Sequence, residues 1–193
     1  MSTINKNEKR GRPKKDSESL SRAKIIEMSK VILSNEKKGL SIRNLALHLK
    51  VDPMAIYHYF KNKDALLEAV CMSYLSRIYR PKISNNWELE IKKLVISYIE
   101  ILRDTPLLID TLVSMGSKSQ GPATLFEEQF IIATSNCLTK TQLQSAIHFL
   151  ADFMHGFSLG FKYLLPKERE DYQKGLKGSL NLYMLALSAL IEK

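Results

Sequence analysis

Apolar residues recur along this chain at spacings of three and four, with little sustained alternation, which predicts an all-α fold. The first helix is expected over residues 19–35, with Ile25, Met28 and Ile32 on one face and a stop at Lys37, Lys38 and Gly39, where glycine suits a left-handed cap. Ser41 is placed to cap a second helix that reaches Leu49 and carries Ile42, Leu45, Ala46 and Leu49 as its apolar stripe. Asp52 caps a third, with Pro53 in the first turn, where a missing N–H costs nothing, and an end near Tyr59. Asn62 caps the fourth, in which Leu66, Leu67, Val70, Tyr74 and Leu75 face inward before Pro81 stops it.

Residues 81–86 form the expected joint to a helical body. There the pattern predicts helices over 87–103, from the Thr105-Pro106 pair to Met115, over 123–138, over 141–164 behind a Thr139/Gln142 capping box, and from the charged connection 166–171 to about Ile191. Residues 117–122 are expected as a loop. About nine helices result, divided into an arm (1–18), a three-helix head (19–62), a connecting helix (63–80) and a body (81–193).

Charge sharpens the division. Residues 1–63 hold 15 Lys and Arg against 6 Asp and Glu, the whole of the +9 net charge, while residues 64–193 hold 14 of each. A basic head on a neutral body suits a polyanion, although a solvated basic tail has the same composition. Cys71 and Cys137 are too few for a disulfide framework, no apolar run reaches the roughly 18 residues of a membrane span, and the basic N-terminus lacks an apolar core behind it. A cytoplasmic protein without membrane contact is expected.

Two short helices joined by about three residues, with packing helices on either side, have the form of a helix-turn-helix, whose second helix enters the major groove. Its exposed positions are expected to be Pro53, Met54, Tyr57 and Tyr59, able to meet thymine methyls and phosphates, with Arg43 reaching a guanine edge or a phosphate. Lys61 and Lys63 stand at a helix start, where cations and backbone N–H groups both favour a phosphate. Upstream, Arg10-Gly11-Arg12-Pro13 resembles a minor-groove hook, glycine allowing close approach and arginines seeking the negative potential of narrow A·T tracts. Ser41 completes the candidate DNA-binding set.

Residues 20–70, above all Leu40-Ser41-Ile42-Arg43-Asn44-Leu45-Ala46 and the run Ile56-Tyr57-His58-Tyr59-Phe60-Lys61-Asn62-Lys63-Asp64-Ala65-Leu66-Leu67, resemble the DNA-binding domain of the tetracycline-repressor (TetR) family. The resemblance implies a helical homodimer that holds a palindromic operator until a small ligand in the body changes the spacing of the heads. It assigns DNA contact to the positions of Arg43, Pro53, Met54, Tyr57, Tyr59 and Lys63, and says little about the ligand. One departure stands in the turn: Lys50 occupies a position where the family usually carries glycine, and a left-handed lysine there would cost about 1–2 kcal/mol.

In the body, the helix over 141–164 gathers His148, Asp152 and His155 on one narrow face. Such a set suits a satisfied polar cluster in the core or a dimer interface, the polar anchors of an apolar ligand pocket, or a metal site short of further ligands. Tyr98, Leu102, Met115, Phe126 and Phe130 are available as pocket walls, or as plain core. Phe149, Phe153, Gly156 and Gly160 share another face of that helix, and the last helix offers Leu180, Tyr183 and Leu187 at coiled-coil spacing. Paired with symmetry mates these would build a four-helix dimer interface; the alternative is an intrachain core. No GxSxG, P-loop, GxGxxG or HExxH is present and glycine totals only 8, so neither a catalytic centre nor a cofactor is implied. The expected protein is a ligand-released repressor; the other readings are a DNA-binding regulator without a small ligand and an architectural DNA-binding protein.

Overall fold

The structure, a computed structural model, describes residues 19–35, 40–116 and 120–191. The arm with Arg10 and Arg12, the Lys37–Gly39 helix stop and residues 117–119 of the expected loop lie outside the described residues. Every regular element among those described is helical: α1 (Arg22–Asn35), α2 (Ile42–Leu49), α3 (Pro53–Tyr57), α4 (Lys63–Leu75), α5 (Trp87–Asp104), α6 (Pro106–Met115), α7 (Gly121–Ala133), α8 (Lys140–Tyr163) and α9 (Arg169–Ile191).

Short polar side chains start most of these helices. Ser41 accepts the backbone N–H of Asn44, Asp52 that of Met54, Asn62 that of Ala65 and Asn86 that of Leu89, each satisfying an otherwise orphaned donor. Thr139 and Gln142 form the reciprocal capping box that opens α8. Thr105 differs: its side chain makes no cap bond, and Pro106 alone starts α6. α7 also departs from expectation at both ends. It starts at Gly121, two residues earlier than the pattern predicts, and ends at Ala133, because Ser135 and Asn136 take φ of 50° and 56°, which no right-handed helix accommodates. The connection predicted over 166–171 is shorter, a single 3₁₀ turn at Pro166–Glu168.

One apolar core runs the length of the chain, from Ile25, Leu45, Ile56 and Leu66 at one end to Leu94, Phe130 and Leu150 at the other. Burying each such side chain contributes about 1.5–3 kcal/mol. Cys71, buried in α4, has its thiol pushed up to about 12 by burial first and the nearby Glu68 second.

The α8–α9 contact corrects the interface expectation. Leu180, Tyr183 and Leu187 are buried within the chain, with the Tyr183 hydroxyl donating to the Ala146 carbonyl at 3.1 Å. Gly160 likewise admits α9 of the same chain: a Cβ there would lie 2.2 Å from the Tyr172 hydroxyl. Periodicity marks a buried seam but is silent on which helix fills it. Gly156 faces open space, Phe153 is half-buried, and the outward faces of α8 and α9 carry exposed Phe149, Leu159, Leu182 and Leu185.

Candidate functional site

The turn between α2 and α3 is built on Lys50 in the left-handed region, at φ 54° and ψ 45°. Its N–H bonds the Leu47 carbonyl at 3.2 Å and that of Val51 bonds Ala46 at 3.0 Å, a Schellman arrangement with lysine where glycine is usual. These bonds close α2 and turn the chain into α3. Helix α3 is anchored by Ile56, which is fully buried, and this leaves Met54 and Tyr57 exposed on the opposite side. Pro53 is half-buried, while Ser41, Arg43, Lys61 and Lys63 are exposed. Leu47, on the outer face of α2, is 72% exposed and was no part of the expected set.

Tyr59 is partly exposed, but its hydroxyl donates to the Leu20 carbonyl, and Arg22 donates back to the Tyr59 carbonyl at 3.1 Å while lying 4.3 Å from the centre of the Phe60 ring. The side chain therefore clamps the end of α3 to the start of α1, at the point where the arm joins the head.

Helices α5, α6, α7 and α8 enclose a cavity of about 510 Å³. Of the residues expected to line it, Tyr98, Phe126, His148, Asp152 and His155 do so. Leu102, Met115 and Phe130 do not line it; they are buried in the surrounding core, where the same apolar pattern is spent on packing. The additional walls, among them Leu112, Val113, Pro122, Ala123 and Ile147, come from helices whose pairing no local pattern encodes.

Inside the cavity His155 Nε2 and the Tyr98 hydroxyl share a hydrogen bond of 2.9 Å. The Phe126 ring meets Tyr98 edge-on with centroids 5.4 Å apart. Burial lowers the His155 pKa from its ordinary value, opposed by the charge of Asp152, and burial raises that of Tyr98. The floor is thus an uncharged pair with hydrogen-bonding capacity in an aromatic wall, the usual make-up of a small-molecule pocket. Among the described residues no three His, Cys, Asp or Glu side chains are gathered as a metal site would need.

Two contacts that sequence reasoning missed fasten the connecting segment behind the head to the body. Glu90, 6% exposed, accepts the Tyr79 hydroxyl at 2.8 Å and the Lys82 N–H at 2.9 Å, fastening the joint onto α5. The Lys82 backbone bond and then the Tyr79 bond hold its pKa below the ordinary carboxylate value. Glu68 of α4 accepts the Gly121 N–H at 2.9 Å, directly beside cavity residues Pro122 and Ala123. Acidic residues within helical runs read as solvated faces, so no sequence signal marked either.

Among the described residues no helix is long and apolar enough to cross a membrane. Residues 38–70 match the family model described as bacterial regulatory proteins, tetR family. Comparison of the sequence with curated proteins gives no match. Several solved structures share the fold. BioQ with its natural double-stranded DNA operator is 21% identical with a TM-score of 0.72, over 89% of this chain and 99% of that one. ActR of Streptomyces coelicolor in complex with actinorhodin is 18% identical with a TM-score of 0.75, over 91% and 100%. A TetR variant from Acinetobacter baumannii AYE in complex with minocycline is 20% identical with a TM-score of 0.75, over 89% and 98%.

Proposed function

We propose that this tetR-family DNA-binding regulator is a cytoplasmic, dimeric repressor, released from a palindromic operator when a small molecule enters the cavity between α5, α6, α7 and α8. The observation that carries the reading is the Glu68–Gly121 bond, which connects the wall of that cavity to the helix running directly into the DNA-binding head. A ligand that prefers one position of α7 thereby acts on α4, and induction requires only that this position space the heads wrongly.

On the DNA side, Met54 and Tyr57 meet base edges and thymine methyls in the major groove, and Arg43, Lys61 and Lys63 meet phosphates beside them. Tyr59 contributes by fixing the helix end, and Arg10 and Arg12 extend the contact into the minor groove. Dimerisation uses the outward apolar faces of α8 and α9, with Phe149, Leu182 and Leu185 at their centre. Two heads then occupy half-sites about 34–36 Å apart.

Fluorescence anisotropy of the protein on its own upstream intergenic DNA, against random duplex at 50 and 200 mM salt, tests the reading. Sequence preference above about 10³, with affinity falling about 10³- to 10⁵-fold across the salt step, is the expected result. Equal affinity for all fragments overturns it in favour of an architectural DNA-binding protein.

A further inference from the structure

We propose a second ligand site, separate from the His155 cavity, that takes an amphipathic carboxylate, its chain lying between α5, α8 and α9 and its head group at Ser158, Arg103 and Arg169. Helices α5 and α9 both pack on α8 but diverge from each other, leaving a chamber of about 420 Å³. Ile96, Ile99, Phe157, Phe161, Leu176 and Leu180 wall it, an apolar lining of the size that small-molecule sites have, about 300–1,000 Å³. Arg103, Ser158, Phe161 and Gln173 line this chamber and also a second, more polar space of about 540 Å³, so the two adjoin at these residues.

Ser158 sits at that junction, 5% exposed, and its hydroxyl is the single buried side-chain polar atom without a hydrogen-bond partner among the described residues. Buried hydroxyls are normally satisfied, so an unsatisfied one in a cavity wall points to a partner supplied from outside the chain. The charge around it defines that partner. The two spaces are lined by five Lys and Arg against two carboxylates, Glu100 and Asp104. Lys162 is already paired with Asp110. Arg169 makes no ion pair among the described residues and lies 5.1 Å from the centre of the Phe161 ring, while Arg103 has only the Asp104 contact at 3.4 Å. A carboxylate at the junction accepts from the Ser158 hydroxyl and from guanidinium N–H groups, and an alkyl chain attached to it fills the apolar chamber.

At 100° per residue, Gln173, Lys177 and Leu180 of α9 point to one side and Leu182 to the opposite side, so a partner centred on Leu182 leaves the chamber side of α9 free. The site does not rest on the repressor reading, because binding alone tests it.

Isothermal titration of the full-length protein with dodecanoate, below its micelle range, is the experiment, with dodecanol as the uncharged control. One dodecanoate per chain is expected, with dodecanol at least tenfold weaker. Ser158→Ala should weaken dodecanoate at least tenfold while keeping or raising the melting temperature, since it removes an unpaired buried hydroxyl. Leu176→Trp, which fills the chamber, should do the same, and Ala123→Trp, which fills the His155 cavity, should leave the affinity within twofold. Absence of saturable binding, indifference to Ser158→Ala, loss through Ala123→Trp alone, or equal affinity for dodecanol would each overturn the proposal.

Discussion

The candidate DNA surface of the head is built from residues between Ser41 and Lys63, whereas the cavity of the body is closed by a hydrogen bond between Tyr98 and His155, 57 positions apart. In the head, three caps and one left-handed turn set the direction of every exposed side chain, so the surface is decided by near neighbours. In the body, no local pattern marks the cavity; its walls are residues of four helices that only tertiary packing brings together. Local chemistry therefore fixes where the head presents its contacts, and tertiary packing alone fixes what the body can hold.

That contrast can be broken by experiment. Ile56→Ala removes the buried anchor of α3 and should cost about 2–5 kcal/mol in urea unfolding, since Ile56 is the one buried side chain of that five-residue helix. A loss under 1 kcal/mol would show that the caps suffice without the anchor. Tyr57→Ala should weaken operator binding by about 1–3 kcal/mol in anisotropy titrations while leaving the melting temperature unchanged, because the exposed ring packs on little else. Unchanged affinity would place the wrong face of α3 in the groove. Lys50→Gly should raise stability by up to about 1 kcal/mol in the same unfolding assay, relief of the left-handed strain being partly offset by glycine's greater freedom in the unfolded chain.

The body gives a test of its own through pH. Burial holds the folded His155 pKa below its ordinary value of 6.5, while the unfolded ring keeps that value. Between the two the unfolded chain binds more protons, so stability is full above about pH 6.5 and falls as the pH drops through the folded pKa. Denaturation of wild type and His155→Gln at pH 8 and pH 5 should show the variant losing less on acidification. An equal loss in both would place the acid sensitivity elsewhere.

How far the sequence speaks follows the same divide. The caps at Ser41, Asp52, Asn62 and Thr139 were legible because each is a short polar side chain three or fewer residues from the donor it meets. Lys50 was legible as a departure, and the structure places it in the left-handed region. The end of α7 was not, since Cys137 and Leu138 extend the apolar spacing past Ser135 and Asn136, where the backbone has already left the helix. The seam on α9 was visible as Leu180, Tyr183 and Leu187, yet its partner was not, because an apolar stripe has the same spacing whether it meets its own chain or another. Glu90, Glu68 and Ser158 gave no warning at all: their roles depend on what lies across a helix interface, and one letter of sequence carries nothing of that.

The close fit at Gly121 has a mechanical meaning. A side chain at this position would put its first carbon 2.9 Å from the Glu68 carboxylate oxygen and 3.3 Å from the Met72 sulfur, so it would push aside the ends of both side chains, and with them the carboxylate that accepts the Gly121 N–H. Glycine at 121 leaves room for Glu68 to grip the backbone at the cavity wall, so the link between a filled cavity and the helix that carries the head depends on a side chain that is not there.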